Sequence, residues 1–409
     1  MNTPRWWPVL VITALVAFIT ALDNTIVAAA APSIGRELGL GIGQLQWTAL
    51  AYMIPFALSL LVSGGLIDRW GQRATLGWGL VAFGAGALLS ALARTAPPLL
   101  AGRVVQGCAA AFLVPGTLSL LRGVGSQRRR TTGTAVWTAA LAVALAAGPA
   151  AGGLFSQYLH WSWIFYGNLP FALAALALLP LLRCTPAGGS GSSVRVLRGQ
   201  RRFQGALLVQ VLWGLGVSGV VFFTPLVHQD WVGLDPTGSG LPLALVAVAL
   251  VLGAPLVPGA VDRLGTRSTV VGGLLLVATG LLAIAAVNHL PEIGPRVPGL
   301  LLTGFGSAFT VPLTSWSLGL LADRHAGTAA GMLTASRELS SAAGVALIGG
   351  VLLAIRSLWM MGGSADPPAL AAGYTAGLLT AAVLQLAAAA LAARILHEDF
   401  VRHEVLGAQ

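Results

Sequence analysis

The chain has 409 residues, of which 56% are apolar and only 9% are charged, with 53 glycines and a mean hydropathy of +0.83. Soluble domains carry about 25% charged residues, so this chain has too little polar side chain to cover a water-facing surface. That excludes a soluble enzyme, a disordered chain and a disulfide scaffold; the net charge of +10 comes from 23 arginines and no lysine against 13 acids.

A helix needs about 20 apolar residues to cross a bilayer core. In chain order this length predicts spans at 8–31, 44–67, 74–93, 98–121, 131–155 and 162–182, then 204–224, 239–260, 268–288, 297–321, 328–354 and 370–394. Runs this long exclude a membrane β-barrel, whose strands alternate over about ten residues. The first run has the Arg5 and Ala-rich end of a signal peptide, but Asp23 and Asn24 interrupt its core and eleven runs follow it. The expected fold class is an all-α integral membrane protein of twelve transmembrane helices. The polar stretch 183–203, rich in Gly, Ser and Arg, divides six spans from six and reads as a flexible linker. Three parts follow: a six-helix bundle over 1–182, the linker 183–203, and a second bundle with a tail over 204–409. Cys108 and Cys184 fall in separate apolar segments and read as packing residues.

Cytoplasmic loops are enriched in positive charge. With both termini cytoplasmic, 17 arginines lie inside and four (Arg36, Arg94, Arg296, Arg356) outside, while Arg103 and Arg337 lie within spans. The basic balance thus reports topology and predicts a lipid bilayer, not a nucleic acid, as partner.

The two groups of spans repeat one plan. The segment Gly65–Arg73 (GLIDRWGQR) recurs as Gly259–Arg267 (GAVDRLGTR), each after the second span of its group. Gly107, Ala111, Phe112, Val114 and Pro115 recur as Gly304, Ala308, Phe309, Val311 and Pro312, each in the fourth span. Parallel repeats of this kind are a transporter architecture, with the site between the repeats near the midplane.

Ionisable groups inside a membrane are costly and point to function. Four qualify: Asp23, Arg103, Arg337 and Glu338. Asp23 is expected about 12 Å from the outer end of its span and Arg103 about 9 Å deep in the fourth, so the two can neutralise each other. They serve either as a tie between helices or as a proton site, because burial favours the neutral acid and a nearby guanidinium the carboxylate. Glu338 reads equally as a second proton or cation site and as a polar tie. The turns at Asp68, Arg69, Gly71 and Arg73 and at Asp262, Arg263 and Arg267 read as headgroup anchors or, since they recur, as a charged latch on the cytoplasmic face. Gly148, Pro149, Gly152 and Gly153 let helices approach closely. A cavity for lipophilic compounds is apolar and aromatic with few polar groups; its candidates are Asn24, Tyr52, Gln106, Trp137, Gln210, Trp213, Trp316 and Arg337. No catalytic or metal-ligating constellation and no phosphate-binding loop is legible, which leaves an ion gradient as the energy source and no cofactor.

Taken together, Leu22-Asp23-x-Thr25-Ile26-Val27, Gly64-x-Leu66-Ile67-Asp68-Arg69-x-Gly71-Gln72-Arg73, Arg103-x-x-Gln106-Gly107 and Gly148-Pro149-x-x-Gly152-Gly153 resemble the major facilitator superfamily, specifically its proton-coupled drug exporters. Trp163-Ile164-Phe165-x-x-Asn168-x-Pro170 and the stretch from Gly331 to Glu338 are similar to the same group. The resemblance implies proton coupling through Asp23 and Arg103, a cytoplasmic gate at the loop charges, and antiport at the Gly148-Pro149 motif. It departs in lacking the extra pair of spans usual in relatives closest in motif, and in Ala135 and Ala144 standing where glycines are usual. The implied protein is a monomeric exporter of drug-like small molecules in the cytoplasmic membrane. An exporter or symporter of one metabolite is the alternative, with a receptor or membrane enzyme further off.

Overall fold

The computed structural model describes residues 6–122, 124, 126–182, 200–320 and 326–396. The described residues form helices and no strand, as expected where a bilayer leaves the backbone no water to bond. Twelve crossings result. In the first group they are α1 (Trp7–Leu38), α2 (Trp47–Trp70), α3 (Gln72–Ala91), α4 (Ala96–Arg122), α5 (Gln127–Tyr158) and α6 (Trp163–Leu181). In the second they are α7 (Arg201–Asp230), α8 (236–264), α9 (266–287), α10 (Gly294–Gly319), α11 (Ala326–Met361) and α12 (Asp366–Ile395).

α8 and α9 form one continuous helical stretch, Pro236–Val287, of 52 residues. A single helix of that length would extend about 78 Å, far beyond a core of about 30 Å. The chain reverses at Gly265, where φ is 79° and ψ 161°. Gly71 does the same between α2 and α3, at φ 81° and ψ 151°. Both are the glycine of the repeated loop motif, and both need the positive φ that a Cβ disfavours.

The other repeat also has a packing cause. A Cβ on Gly107 of α4 would lie 2.3 Å from the Tyr52 carbonyl oxygen of α2, and one on Gly304 of α10 2.1 Å from that of Val246 in α8. Each fourth helix therefore rests backbone to backbone on its second helix. The repeats part at their proline: α4 runs through Pro115, whereas α10 breaks at 309–311 and resumes at Pro312. A proline cannot donate to the preceding turn, so either outcome is open to it.

Several helices outrun the apolar spans that predict them. α1 ends at Leu38, α7 at Asp230 and α11 at Met361, six or seven residues past the expected ends at 31, 224 and 354. Apolar length marks the hydrocarbon core, and these helices continue through the interface. Asp23 stands near the middle of α1, about 22 Å from its Leu38 end.

Within the first group α1 packs on α5 and α6, and α4 on α2 and α3; within the second α7 packs on α11 and α12, and α10 on α8 and α9. The groups meet through α5–α8, α2–α11 and α1–α7. Several hydrogen bonds and an ion pair cross this seam at the ends of the helices away from the 183–203 linker, here termed the distal end. Arg36 donates to Gln229 Oε1 at 2.7 Å and lies 3.8 Å from Asp230; Gln157 donates to Asp235 at 3.2 Å and accepts from the Thr237 N–H at 3.1 Å. At the opposite end α5 is exposed over 127–132, and Leu58, Leu61 and Val62 of α2 and Val251, Leu252 and Leu256 of α8 are exposed. Most of the linker, 183–199, lies outside the described residues, as do the tail from 397 and Cys184; Cys108 is a free thiol.

Candidate functional site

Asp23 and Arg103 are both 0% exposed, and the Arg103 NH1 nitrogen donates to Asp23 Oδ2. The other carboxylate oxygen, Oδ1, accepts from Gln106 Nε2 and from Asn168 Nδ2, each at 2.9 Å. Arg103 Nε donates to the Thr48 carbonyl at 3.0 Å and NH1 also reaches Gln106 Oε1 at 3.2 Å. The guanidinium lies 4.5 Å from the centre of the Tyr52 ring and 5.8 Å from that of Phe165. One carboxylate is thus held by donors from α4 and α6, and its guanidinium partner is faced by aromatic rings of α2 and α6. A buried ion pair persists only when further hydrogen bonds serve its remaining atoms; Gln106, Asn168 and Thr48 supply them here. Arg103 NH2 and Asn168 Oδ1 are buried without a partner.

With a carboxylate at Asp23 and a guanidinium at Arg103 the cluster is neutral overall, and removing either partner would leave an uncompensated buried charge, which is costly away from water.

Tyr52 and Gln106, expected on a cavity wall, are instead buried inside this cluster. Asn24 is half-buried one position along α1. Trp137 and Gln210 are half-buried on α5 and α7, the Trp137 indole N–H without a partner. Trp316 packs against an apolar cluster that includes Val270, Leu274 and Leu313. Arg337 is exposed and lies 5.6 Å from the centre of the Trp213 ring. Glu338 is half-buried, with Oε2 buried and unpartnered, and forms no ion pair with Arg337. The two side chains point apart, as residues 100° apart on a helix do.

At the loop motifs Arg69, Arg73, Asp262 and Arg263 are exposed and Arg267 half-buried, and none makes an ion pair among the described residues; the Asp68 side chain lies outside them. The glycines of the fifth helix meet two neighbours. A Cβ on Gly148 would fall 2.0 Å from Thr25 Oγ1, and one on Gly152 2.5 Å from the Ile26 carbonyl oxygen, both on α1. On Gly153 it would fall 2.5 Å from the Pro236 carbonyl oxygen of α8, and one on Gly240 of α8 2.3 Å from that of Pro149. Ala144, where a glycine is usual, is fully buried, so its methyl is accommodated.

Residues 13–345 match the Major Facilitator Superfamily. The chain belongs to that family. A puromycin resistance protein of Streptomyces alboniger is 27% identical over 95% of this chain and 90% of its own length. A methylenomycin A resistance protein of Streptomyces coelicolor is 28% identical over 90% of this chain and 91% of its own length. Among solved structures, a D-xylose-proton symporter superposes with a TM-score of 0.79 at 15% identity, over 96% of this chain and 98% of the other. A bacterial homologue of the human lysosomal transporter Spinster, in an inward-facing and unoccupied conformation, gives 0.75 at 18% identity, over 97% and 98%. At these identities the structures speak for the fold. This superfamily member is a multi-pass membrane protein and a secondary transporter of small molecules, not an enzyme.

Sequence reasoning left Asn168 and the distal-end residues Arg36, Gln229, Asp230, Gln157 and Asp235 without a role. Asn168 stands in the quoted motif opening α6, where an amide flanked by apolar residues already marks a buried polar contact.

Proposed function

We propose that this transporter is a proton-coupled antiporter that exports drug-like, lipophilic small molecules across the cytoplasmic membrane, with both termini cytoplasmic. The observation that carries the reading is the fully buried Asp23 near the middle of α1, shared by Arg103, Gln106 and Asn168. A proton arriving at Asp23 displaces Arg103, and the freed cation drives the helices to repack. Removing the proton restores the pair. Each state favours one orientation of the two bundles, 1–182 and 204–409, which rock about the seam between them. The distal contacts of Arg36 and Gln157 close the outer side in the orientation described here, and the unpaired loop charges at Arg69, Arg73, Asp262, Arg263 and Arg267 are free to latch the inner side in the other. Glu338, with its unpartnered oxygen, serves as a second proton or cation site. The cargo class rests on the relatives: besides the two above, a tetracenomycin C resistance and export protein of Streptomyces glaucescens is 26% identical over 86% of this chain.

The test is efflux from proteoliposomes under an imposed pH gradient, run beside a drug-susceptibility panel in an efflux-deficient host. Gradient-driven efflux that Asp23→Asn abolishes, with substrate binding retained, is the expected result. Efflux by Asp23→Asn at the wild-type rate overturns the proton site, and a host no more resistant to any compound overturns the cargo class.

A further inference from the structure

The α5–α8 seam is tight at the distal end and open toward the linker end, and its open part has a polar wall. There α5 lines a cavity of about 720 Å³, bounded by Gln127, Arg130, Thr131, Thr134 and Thr138 and by alanines as far along as Ala142. A helix turns by about 100° per residue. Gly148 and Gly152 meet α1, while Pro149 and Gly153 meet α8; on that rotation Thr131, Thr134 and Thr138 fall in the sector between the two neighbours. Because α1 itself packs on α7 and α8, that sector belongs to the space between the bundles. Across it Val251, about three turns along α8 on the face that carries Gly240, is exposed, so the two helices have parted there.

The hydroxyls on this wall have a set polarity. Thr131 Oγ1 donates to the Gln127 carbonyl at 3.1 Å, and Thr134 Oγ1 to the Arg130 carbonyl at 3.0 Å. A hydroxyl has one proton and two lone pairs. With the proton committed within the helix, each oxygen offers only acceptor sites to the cavity. Both residues are exposed, and no described residue donates to either oxygen. Gln127 and Arg130 stand nearer the mouth, and Arg130 Nε is bound to the Val124 carbonyl at 2.7 Å. Beyond the hydroxyls the wall is methyl groups with no long side chain, a surface on which a flat ring system can lie.

We propose that Thr131 and Thr134 determine specificity on the loading side, selecting planar cargo that carries N–H or O–H groups along one edge. Cargo with such donors replaces the water that serves these oxygens; cargo without them displaces that water and returns nothing. The inference rests on the export reading and narrows its cargo.

The test is equilibrium binding to full-length protein in nanodiscs, without a pH gradient and corrected for empty nanodiscs. The probes are 2,6-diaminoanthraquinone and its N-tetramethylated analogue, both planar and uncharged, of which only the first carries N–H donors. Wild type is expected to bind the diamine at least about fivefold more tightly, the contribution of one hydrogen bond. Thr131→Val combined with Thr134→Val keeps the side-chain shape, deletes both oxygens, and is expected to bring the two probes within about twofold of each other. Thr131→Ser with Thr134→Ser retains the hydroxyls and is expected to retain the preference. Thr132→Val is the control: Thr132 makes the same kind of bond, to the Arg128 carbonyl at 3.0 Å, but lies outside the sector, and its loss is expected to change nothing. Wild-type protein that binds both probes alike, or neither, overturns the inference, as does a preference that survives in the double valine variant or is lost in the double serine variant. No proton gradient enters the measurement, so an unselective wall in a protein that still confers resistance in the drug panel leaves the export reading standing.

Discussion

Asn168 and Gln106 donate to the same oxygen of Asp23, each at 2.9 Å, from different helices. The carboxylate therefore links α1 to α4 and α6 at once, and it feels any relative movement of the three. Under the proposed proton coupling, one proton at Asp23 would act on all three helices.

Asn168→Ala removes one of the bonds to this charged group. Hydrogen bonds to charged groups contribute about 1.5–3 kcal/mol, and a loss of stability in that range is expected by thermal unfolding in detergent. A midpoint equal to that of wild type would show that the bond contributes nothing.

Asp23→Asn keeps the side-chain shape and removes the ionisation. Gradient-driven efflux is expected to fall at least about tenfold, matching the loss of one strongly coupled step of about 1.4 kcal/mol, while the affinity for substrate in equilibrium binding changes little. Counting counterflow alongside net efflux separates a lost proton step from a lost site.

Gly152→Ala places a methyl 2.5 Å from the Ile26 carbonyl oxygen. Overpacking costs about 1–3 kcal/mol, so the α1–α5 contact loosens and the unfolding midpoint drops. Gly153→Ala makes its clash across the seam, 2.5 Å from the Pro236 carbonyl oxygen. Its expected effect is a shift away from distal closure, read as longer distances between spin labels on α5 and α8. Unchanged distances in Gly153→Ala would remove this glycine from the closure.

Arg36→Ala cuts the contacts to Gln229 and Asp230. The Arg36 and Asp230 side chains are 55% and 45% exposed, and exposed pairs contribute about 0–1 kcal/mol. Global stability is expected to stay within that range, whereas the balance between the two orientations moves by up to about fivefold. Distance distributions from spin labels on α1 and α7 measure it.

Much of this was legible in the linear chain. A bilayer demands long apolar helices, so composition and run length determined the spans, and the repeated Gly-x-x-Asp-Arg-x-Gly-x-Arg segments determined that the two groups share one plan. Asp23 and Arg103 stood out because they are the only ionisable residues inside their six spans. What only the tertiary structure decided is which way each helix faces. These helices are apolar nearly all round, and without a strong polar face a sequence does not state its rotation. Packing set it: Gly107 brings α4 against the backbone of α2, which turns Arg103 toward Asp23 and places Tyr52 beneath the guanidinium. The same packing drew Tyr52 and Gln106 out of an expected cavity wall and into the ion pair. It recruited Asn168, and it left Arg296, which charge counting had assigned to an outer loop, buried without a counter-charge.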